Sequence, residues 1–305
     1  MKNDFQKPKD NLMILRALAA WWILGFSIIF SATTVIDLLS SAWKDISIGR
    51  AMMFRAVFSA LSAVPLTFIV YFLVIPRVNK QFRIFRKIVS RISDEGYSDT
   101  VIKDMEDQLQ FCMTMPTSYA TYRNQYAMFL TEAYMSLHEY ELAEEKLGCV
   151  DYEFMKSELR GTNTISLQRN ILLIHVLRVQ LAAVSGDIKL TEERVASGEK
   201  VFVLYRDKSE MMNYLIDTAY FESLLVHEQY ENADKLLEKY KDNEELRFGY
   251  LLDKGRCLMR MGRTEQAESY FNEAYSMATN DWRRRTIDLE RNNPISSKTR
   301  KSTRR

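Results

Sequence analysis

Two apolar runs near the start of the chain constrain its fold more than any other feature of the sequence. Residues 17–36 and 56–76 contain no charged side chain. As helices rising about 1.5 Å per residue, runs of this length match the hydrocarbon layer of a bilayer, which is about 30 Å thick. A helix in the core of a water-soluble domain is rarely apolar on all sides over such a length. The runs therefore predict a transmembrane helical hairpin at residues 17–76, with two buried helices of a large core as the alternative.

Basic residues predict the orientation of this hairpin. They are concentrated in residues 1–16 and directly after residue 76, whereas the loop between the runs has fewer of them. Under the positive-inside rule, both termini lie in the cytoplasm. We therefore expect an integral membrane protein in a bacterial cell membrane, with the membrane of a eukaryotic organelle as the alternative. A cleaved signal peptide is the alternative for the first run, but that run exceeds the usual ~7–15 apolar residues and no A-x-A site follows it.

Residues 77–117 follow the hairpin and predict a basic amphipathic helix and a second helix. Apolar residues recur at helical spacing in the first of these, with lysine and arginine between them. Basic side chains at this position favour contact with anionic lipid headgroups, and the alternative is that they only set the orientation. The residues expected to contact lipid headgroups are Arg77, Lys80, Arg83, Arg86 and Lys87.

A short pattern recurs three times after residue 117. Residues 140–144, 230–234 and 264–268 each read aromatic or threonine, glutamate, any residue, alanine, acidic residue. The acidic residues suit the first turn of a helix, where they favour the positive end of its dipole. An alanine at a fixed position lets two helices cross closely. The step from Ala233 to Ala267 is 34 residues, which is the tetratricopeptide period.

On these residues the chain resembles the tetratricopeptide repeat family. The resemblance implies an α-solenoid of helix pairs over residues 118–291, closed by a polar capping helix near residues 280–291. Lys254 departs from the family pattern, since an apolar residue is usual there. The fold class predicted is all-α, a transmembrane hairpin followed by this solenoid, with a disordered basic tail at 292–305. The resemblance assigns repeat packing to Ala143, Ala233, Gly255, Ala267 and Phe271.

The sequence contains no pattern typical of catalysis or of a metal site. His138-Glu139 and His227-Glu228 begin the zinc motif H-E-x-x-H, but Leu142 and Glu231 stand where the second histidine is needed. The three cysteines lack metal-ligand spacing. The net charge of +2 argues against nucleic-acid binding. We therefore expect no enzyme activity, no catalytic residue, no cofactor and no metal.

Stacked helix pairs present an extended surface for peptides and proteins. The sequence therefore predicts a membrane-anchored scaffold whose repeat domain recruits a peptide or protein partner. The alternative is an accessory or regulatory subunit of a membrane transport, secretion or envelope complex. Tyrosines at helical spacing are candidates for the partner-binding groove, with ordinary packing between helices as the alternative. These candidates are Tyr119, Tyr122, Tyr126 and Tyr134.

Overall fold

The computed structural model describes residues 19, 22, 23, 25–32 and 48–292, without the side chains of residues 48–52, 54, 55, 66–79 and 118. The all-α prediction is confirmed, because the described residues form helices and connecting turns and no strand. The chain divides into two units, Met1–Arg86 and Lys87–Arg305. The predicted tail, apart from its first residue, lies outside the described residues.

The first unit corrects the prediction of a transmembrane hairpin. Among the described residues, no helix combines the length and the apolar character needed to cross a membrane. The predicted hairpin at 17–76 and the placement as an integral protein of a bacterial cell membrane are therefore wrong.

The second apolar run also differs from its prediction in where its helix begins and ends. It lies within one continuous helix, α1 (Ile48–Glu95), which carries charged residues on both sides of the run. The helix continues through Pro65 and past the predicted boundary between residues 76 and 77. Its start at Ile48 lies before the run, within the expected loop, because the helix extends beyond the uncharged residues.

The second unit consists of the end of α1 and a series of shorter helices. These helices are α2 (Asp99–Thr114), α3 (Ala120–Ser136), α4 (Tyr140–Gly148), α5 (Tyr152–Thr162), α6 (Ile165–Val184), α7 (Ile188–Tyr205), α8 (Glu210–Val226), α9 (Tyr230–Leu237), α10 (Arg247–Arg260), α11 (Thr264–Met277) and α12 (Asp281–Asn292), with short 3₁₀ turns at Thr117–Tyr119 and Glu238–Tyr240. Side-chain oxygens cap several of them; the Ser98 hydroxyl, for example, accepts from the backbone N–H of Val101 at the start of α2.

Four antiparallel helix pairs share one turn geometry: α3–α4, α6–α7, α8–α9 and α10–α11. In each turn, the residue two positions before the second helix has a left-handed backbone, with φ of 62° at His138, 71° at Gly186, 59° at Glu228 and 73° at Gly262. A left-handed residue after a helix lets the next backbone N–H groups satisfy the last carbonyls of that helix. The α6–α7 pair, which lacks the alanine pattern in sequence, thus turns in the same way as the others.

The second helices of the four pairs also share a small buried residue at their fourth position. Ala143, Ala233 and Ala267 have no exposed surface in α4, α9 and α11. In α7 the same position holds Thr191, which is equally buried, and its hydroxyl donates to the Asp187 carbonyl at 2.8 Å. The threonine therefore fills the position without leaving a buried hydroxyl unsatisfied.

Two residues of α10 explain how the last pair packs. A Cβ atom at Gly255 would lie 2.6 Å from the fully buried ring of Phe271, so the helices approach too closely here for a larger residue. Lys254, which departs from the usual apolar pattern, is buried with its ammonium group at ion-pair distance from Asp234 and Glu238. Two carboxylates thus compensate for the burial of its charge.

The last helix, α12, contacts both ends of the series of pairs. The Trp282 indole N–H donates to the Ser136 hydroxyl at 3.0 Å, at the end of α3. The Glu290 carboxylate lies 3.1 Å from the His138 ring nitrogen and 3.2 Å from the Arg256 guanidinium. The helix expected to cap one end of the stack therefore joins the first pair to the last.

Candidate binding site

The four predicted partner-binding tyrosines lie within or at the edge of the helix packing. Tyr126 is fully buried. Tyr134 is also buried, and its hydroxyl donates to the Glu106 carboxylate at 2.7 Å. Tyr119 and Tyr122 are half-buried near the start of α3. Tyr126 and Tyr134 thus lie within the helix packing, and partner binding by the four tyrosines stays a prediction.

The other residues singled out from the sequence divide into a buried set and an exposed set. The residues assigned to repeat packing are all buried: Ala143, Ala233, Gly255, Ala267 and Phe271. The basic residues of α1 whose side chains are described are all exposed: Lys80, Arg83, Arg86 and Lys87. The side chain of Arg77 lies outside the described residues. Contact between these basic residues and lipid headgroups stays a prediction.

A cavity of about 160 Å³ lies between α3, α6 and α8. It is lined by Gln125, Met128, Phe129, Glu132, Arg169, Asn170, Leu173, Met211 and Leu215. These residues come from three helices, and their spacing in the sequence does not bring them together. A signal was nevertheless present, because the adjacent polar residues Arg169 and Asn170 precede a long apolar stretch of α6. Polar residues at such a position need either water or a partner.

Three polar side chains of the cavity make no hydrogen bond with any described residue: Gln125, Arg169 and Asn170. Asn170 is the most enclosed of them, with 5% of its surface exposed. Gln125 and Arg169 are half-buried. The cavity therefore presents polar groups that can bond to water or to a ligand.

Glu132 supplies the negative charge of the cavity. Its carboxylate accepts a hydrogen bond from the Tyr97 hydroxyl at 3.0 Å. Burial raises the pKa of the Glu132 carboxyl, while this hydrogen bond and the positive charge of Arg169 act in the opposite direction. Arg169 is near enough to act on this pKa but forms no ion pair with Glu132. A cation and an anion therefore line one cavity without neutralising each other directly.

A network of buried charges joins α8, α10 and α12 outside this cavity. The Arg256 guanidinium donates to Glu222 at 2.8 Å and to Asp253 at 3.0 Å, and it lies close to Glu290. Burial raises the pKa of Asp253 to about 6. The pKa of Glu290 is lowered: burial alone would raise it, but the charge of Arg256 and the hydrogen bond with His138 outweigh burial. Each acid of the network has a basic partner, so the network holds the helices together.

Other features of the described residues do not form a site. A wider hollow of about 720 Å³ on α11 and α12 is shallow and open to solvent. The described residues contain no group of histidine, cysteine, aspartate and glutamate side chains that would hold a metal ion. Burial raises the pKa of Cys112 to about 11 and that of Cys257 to about 12, so neither thiol is an activated nucleophile.

The chain matches no protein-family model, no curated protein and no solved structure. The assignment to the tetratricopeptide repeat family is therefore wrong. Its motif consists mainly of small residues at helix crossings and turn residues between helices. Close packing of any antiparallel helix pair demands the same residue types, so the pattern arises without membership of that family.

Proposed function

We propose that the chain is a protein-interaction scaffold, an α-solenoid of helix pairs that recruits a polypeptide partner. Two features support this. The four pairs repeat one turn geometry and one buried small residue, and neighbouring pairs contact each other in chain order. Stacks of this kind present extended surfaces suited to long or irregular partners.

The observation that carries the proposal is an exposed apolar group on the α6–α7 pair. Ile165 is 72% exposed, Val203 68% and Leu204 60%. Because α6 and α7 are antiparallel, the start of α6 and the end of α7 lie at the same end of the pair. We call these three residues the apolar end. Large apolar side chains grouped at a surface gain free energy when another protein covers them, so the partner is a polypeptide segment with apolar side chains.

A charge-insertion experiment tests this surface. The double variant Val203→Glu/Leu204→Glu places two carboxylates in the apolar end. Ala196→Glu is the matched control, because it adds the same group to an exposed position of the same helix. Each purified chain is used as bait, captured proteins are identified, and the affinity of each is then measured with purified components. We expect a partner whose affinity falls at least tenfold with the double variant and stays unchanged with the control.

The substituted side chains are exposed, so each variant should unfold at the same temperature as the wild-type chain. A change in affinity can then be assigned to the apolar end and not to loss of folding. If every protein that binds the wild-type chain binds the double variant equally well, the apolar end is not the recruiting surface. If no captured protein binds in the purified system, the scaffold function itself is refuted.

A further inference from the structure

The cavity between α3, α6 and α8 has a composition that packing between helices does not require. Helix pairs are stabilised by apolar contacts, and a polar residue without a partner weakens them. Here three polar side chains, Gln125, Arg169 and Asn170, form no hydrogen bond within the described part of the chain. Glu132 receives a single hydrogen bond, from Tyr97. These groups are therefore available to bond to a ligand that enters the cavity.

The charges of the cavity define the ligand. Arg169 is a fixed cation with several donors, which suits a carboxylate. Glu132 is an acceptor that suits an ammonium group. The two do not pair with each other, although Arg169 is close enough to act on the ionisation of Glu132. A ligand that carries a carboxylate and an ammonium group close together bonds to both residues at once. A simple anion bonds to Arg169 but is repelled by Glu132.

The remaining walls and the size of the cavity limit the rest of the ligand. Met128, Leu173, Met211 and Leu215 give an apolar lining, and methionine adapts to ligands of varied shape. A volume of about 160 Å³ holds roughly five water molecules at ~30 Å³ each. This volume suits a compact molecule with an aliphatic part.

We propose that this cavity binds a free α-amino acid with an aliphatic or thioether side chain. Arg169 holds the carboxylate, with the amides of Gln125 and Asn170 as additional donors. Glu132 holds the ammonium group, and the ligand side chain lies among the methionine and leucine residues of the lining. A residue inside a polypeptide carries neither charge, so the site selects the free molecule. This inference is independent of the scaffold function and of the apolar end.

Ligand derivatives test the proposal on the unaltered chain. Binding of L-leucine and L-methionine is measured by calorimetry and by thermal unfolding of the full chain. N-acetyl-L-leucine lacks the ammonium group, and L-leucinamide lacks the carboxylate. Because a hydrogen bond to a charged group accounts for about tenfold in affinity or more, we expect each derivative to bind at least tenfold more weakly than L-leucine. The proposal is overturned if neither amino acid binds at millimolar concentration, or if a derivative binds as well as L-leucine.

Variants assign the two charges to residues. Arg169→Gln and Glu132→Gln remove one charge each, and we expect each to weaken L-leucine binding at least tenfold. Arg178→Gln is the matched control on the same helix, since Arg178 stacks over Tyr152 outside the cavity. Circular dichroism verifies that each variant is folded. Unchanged affinity in folded Arg169→Gln or Glu132→Gln would refute the assignment, and the derivative series decides the proposal if a variant does not fold.

Discussion

His175 is a buried histidine whose environment opposes its protonation. Its Nε2 atom is 2.8 Å from the Tyr152 hydroxyl, while its Nδ1 atom is buried without a hydrogen-bond partner among the described residues. Burial, and then the positive charges of Arg178 and Lys156, lower its pKa to about 4. The neutral imidazole is therefore the form that belongs to the folded chain.

This environment makes folding stability depend on pH. An unfolded histidine titrates near pH 6.5, so between about pH 6.5 and 4 the unfolded chain binds a proton that the folded chain does not. The free energy of unfolding therefore falls as the pH falls through this window, by up to about 3 kcal/mol from His175. We expect His175→Gln, measured by urea unfolding at several pH values, to show a shallower decline than the wild-type chain.

His227 provides a control of opposite sign. Its ring contacts the Ser223 carbonyl and the Glu192 carboxylate, and these raise its pKa. A raised pKa contributes stability that is present below pH 6.5 and is lost as the pH rises through the folded-state pKa. His227→Gln should therefore steepen the decline towards acid pH. Equal slopes in His175→Gln and the wild-type chain would contradict the role given to His175.

At the level of helices, the turns and crossings of the pairs follow from local geometry. Gly186 and Gly262 adopt their left-handed backbones without strain, whereas His138 and Glu228 do so at some energetic cost. All four turns nevertheless have the same form, because the second helix must return along the first. The helix pair thus determines which residue adopts the left-handed backbone. A glycine at that position only lowers the energetic cost of adopting it.

The crossing of α10 and α11 gives a prediction for this scale. Gly255→Ala removes an unfavourable helix residue, a gain of about 1 kcal/mol, but forces a methyl group against the Phe271 ring. Because that ring is fully buried, overpacking at a cost of about 1–3 kcal/mol should outweigh the gain. We expect a net loss of stability, seen as a lower denaturant midpoint.

Gly161→Ala is the control for this substitution. Gly161 lies in α5, and a Cβ atom there meets no atom within 4 Å, so the variant tests helix propensity alone. It should be more stable than the wild-type chain, by up to about 1 kcal/mol. The close approach at Gly255 would be refuted if the two substitutions raised stability equally.

At the level of the second unit, α12 contacts helices that are far apart in the sequence and so couples their stability. The ring of Trp282 meets Tyr97 edge-on at 5.1 Å and fills the space beside Gly96. Arg283 stacks over Phe248 of α10 at 4.7 Å. In a linear stack each pair affects only its neighbours, whereas α12 here joins the first pair to the last.

Trp282→Ala tests this dependence. Loss of the ring contacts and of the hydrogen bond to Ser136 should destabilise the chain by about 2–3 kcal/mol, below the range for fully buried tryptophan because Trp282 is half-buried. We expect faster amide hydrogen exchange in both α3 and α10. Arg284→Ala, an exposed change on the same helix, should alter stability by less than about 0.5 kcal/mol. Faster exchange confined to α11 and α12 would contradict the coupling.

The features that could be predicted from the sequence are those that depend on residues close together in the chain. The helical content, the starts of α4, α9 and α11, and the burial of Ala143, Ala233 and Ala267 follow from apolar periodicity and first-turn residues. These signals extend over one or two helical turns, so a short segment contains them. The same locality explains the wrong prediction at residues 17–76, because hydropathy within a run does not determine where its helix begins and ends.

Which distant side chains meet depends on how the helices pack in three dimensions. His138 and Glu290 are 152 positions apart, and no local pattern relates them. The cavity combines residues from three helices, and the absence of an ion pair between Arg169 and Glu132 emerges only when those helices are packed. Tyr126 and Tyr134, which sequence spacing made candidates for a groove, are buried because neighbouring helices cover them. Packing between helices, which no single helix encodes, separates exposed surface from core in this protein.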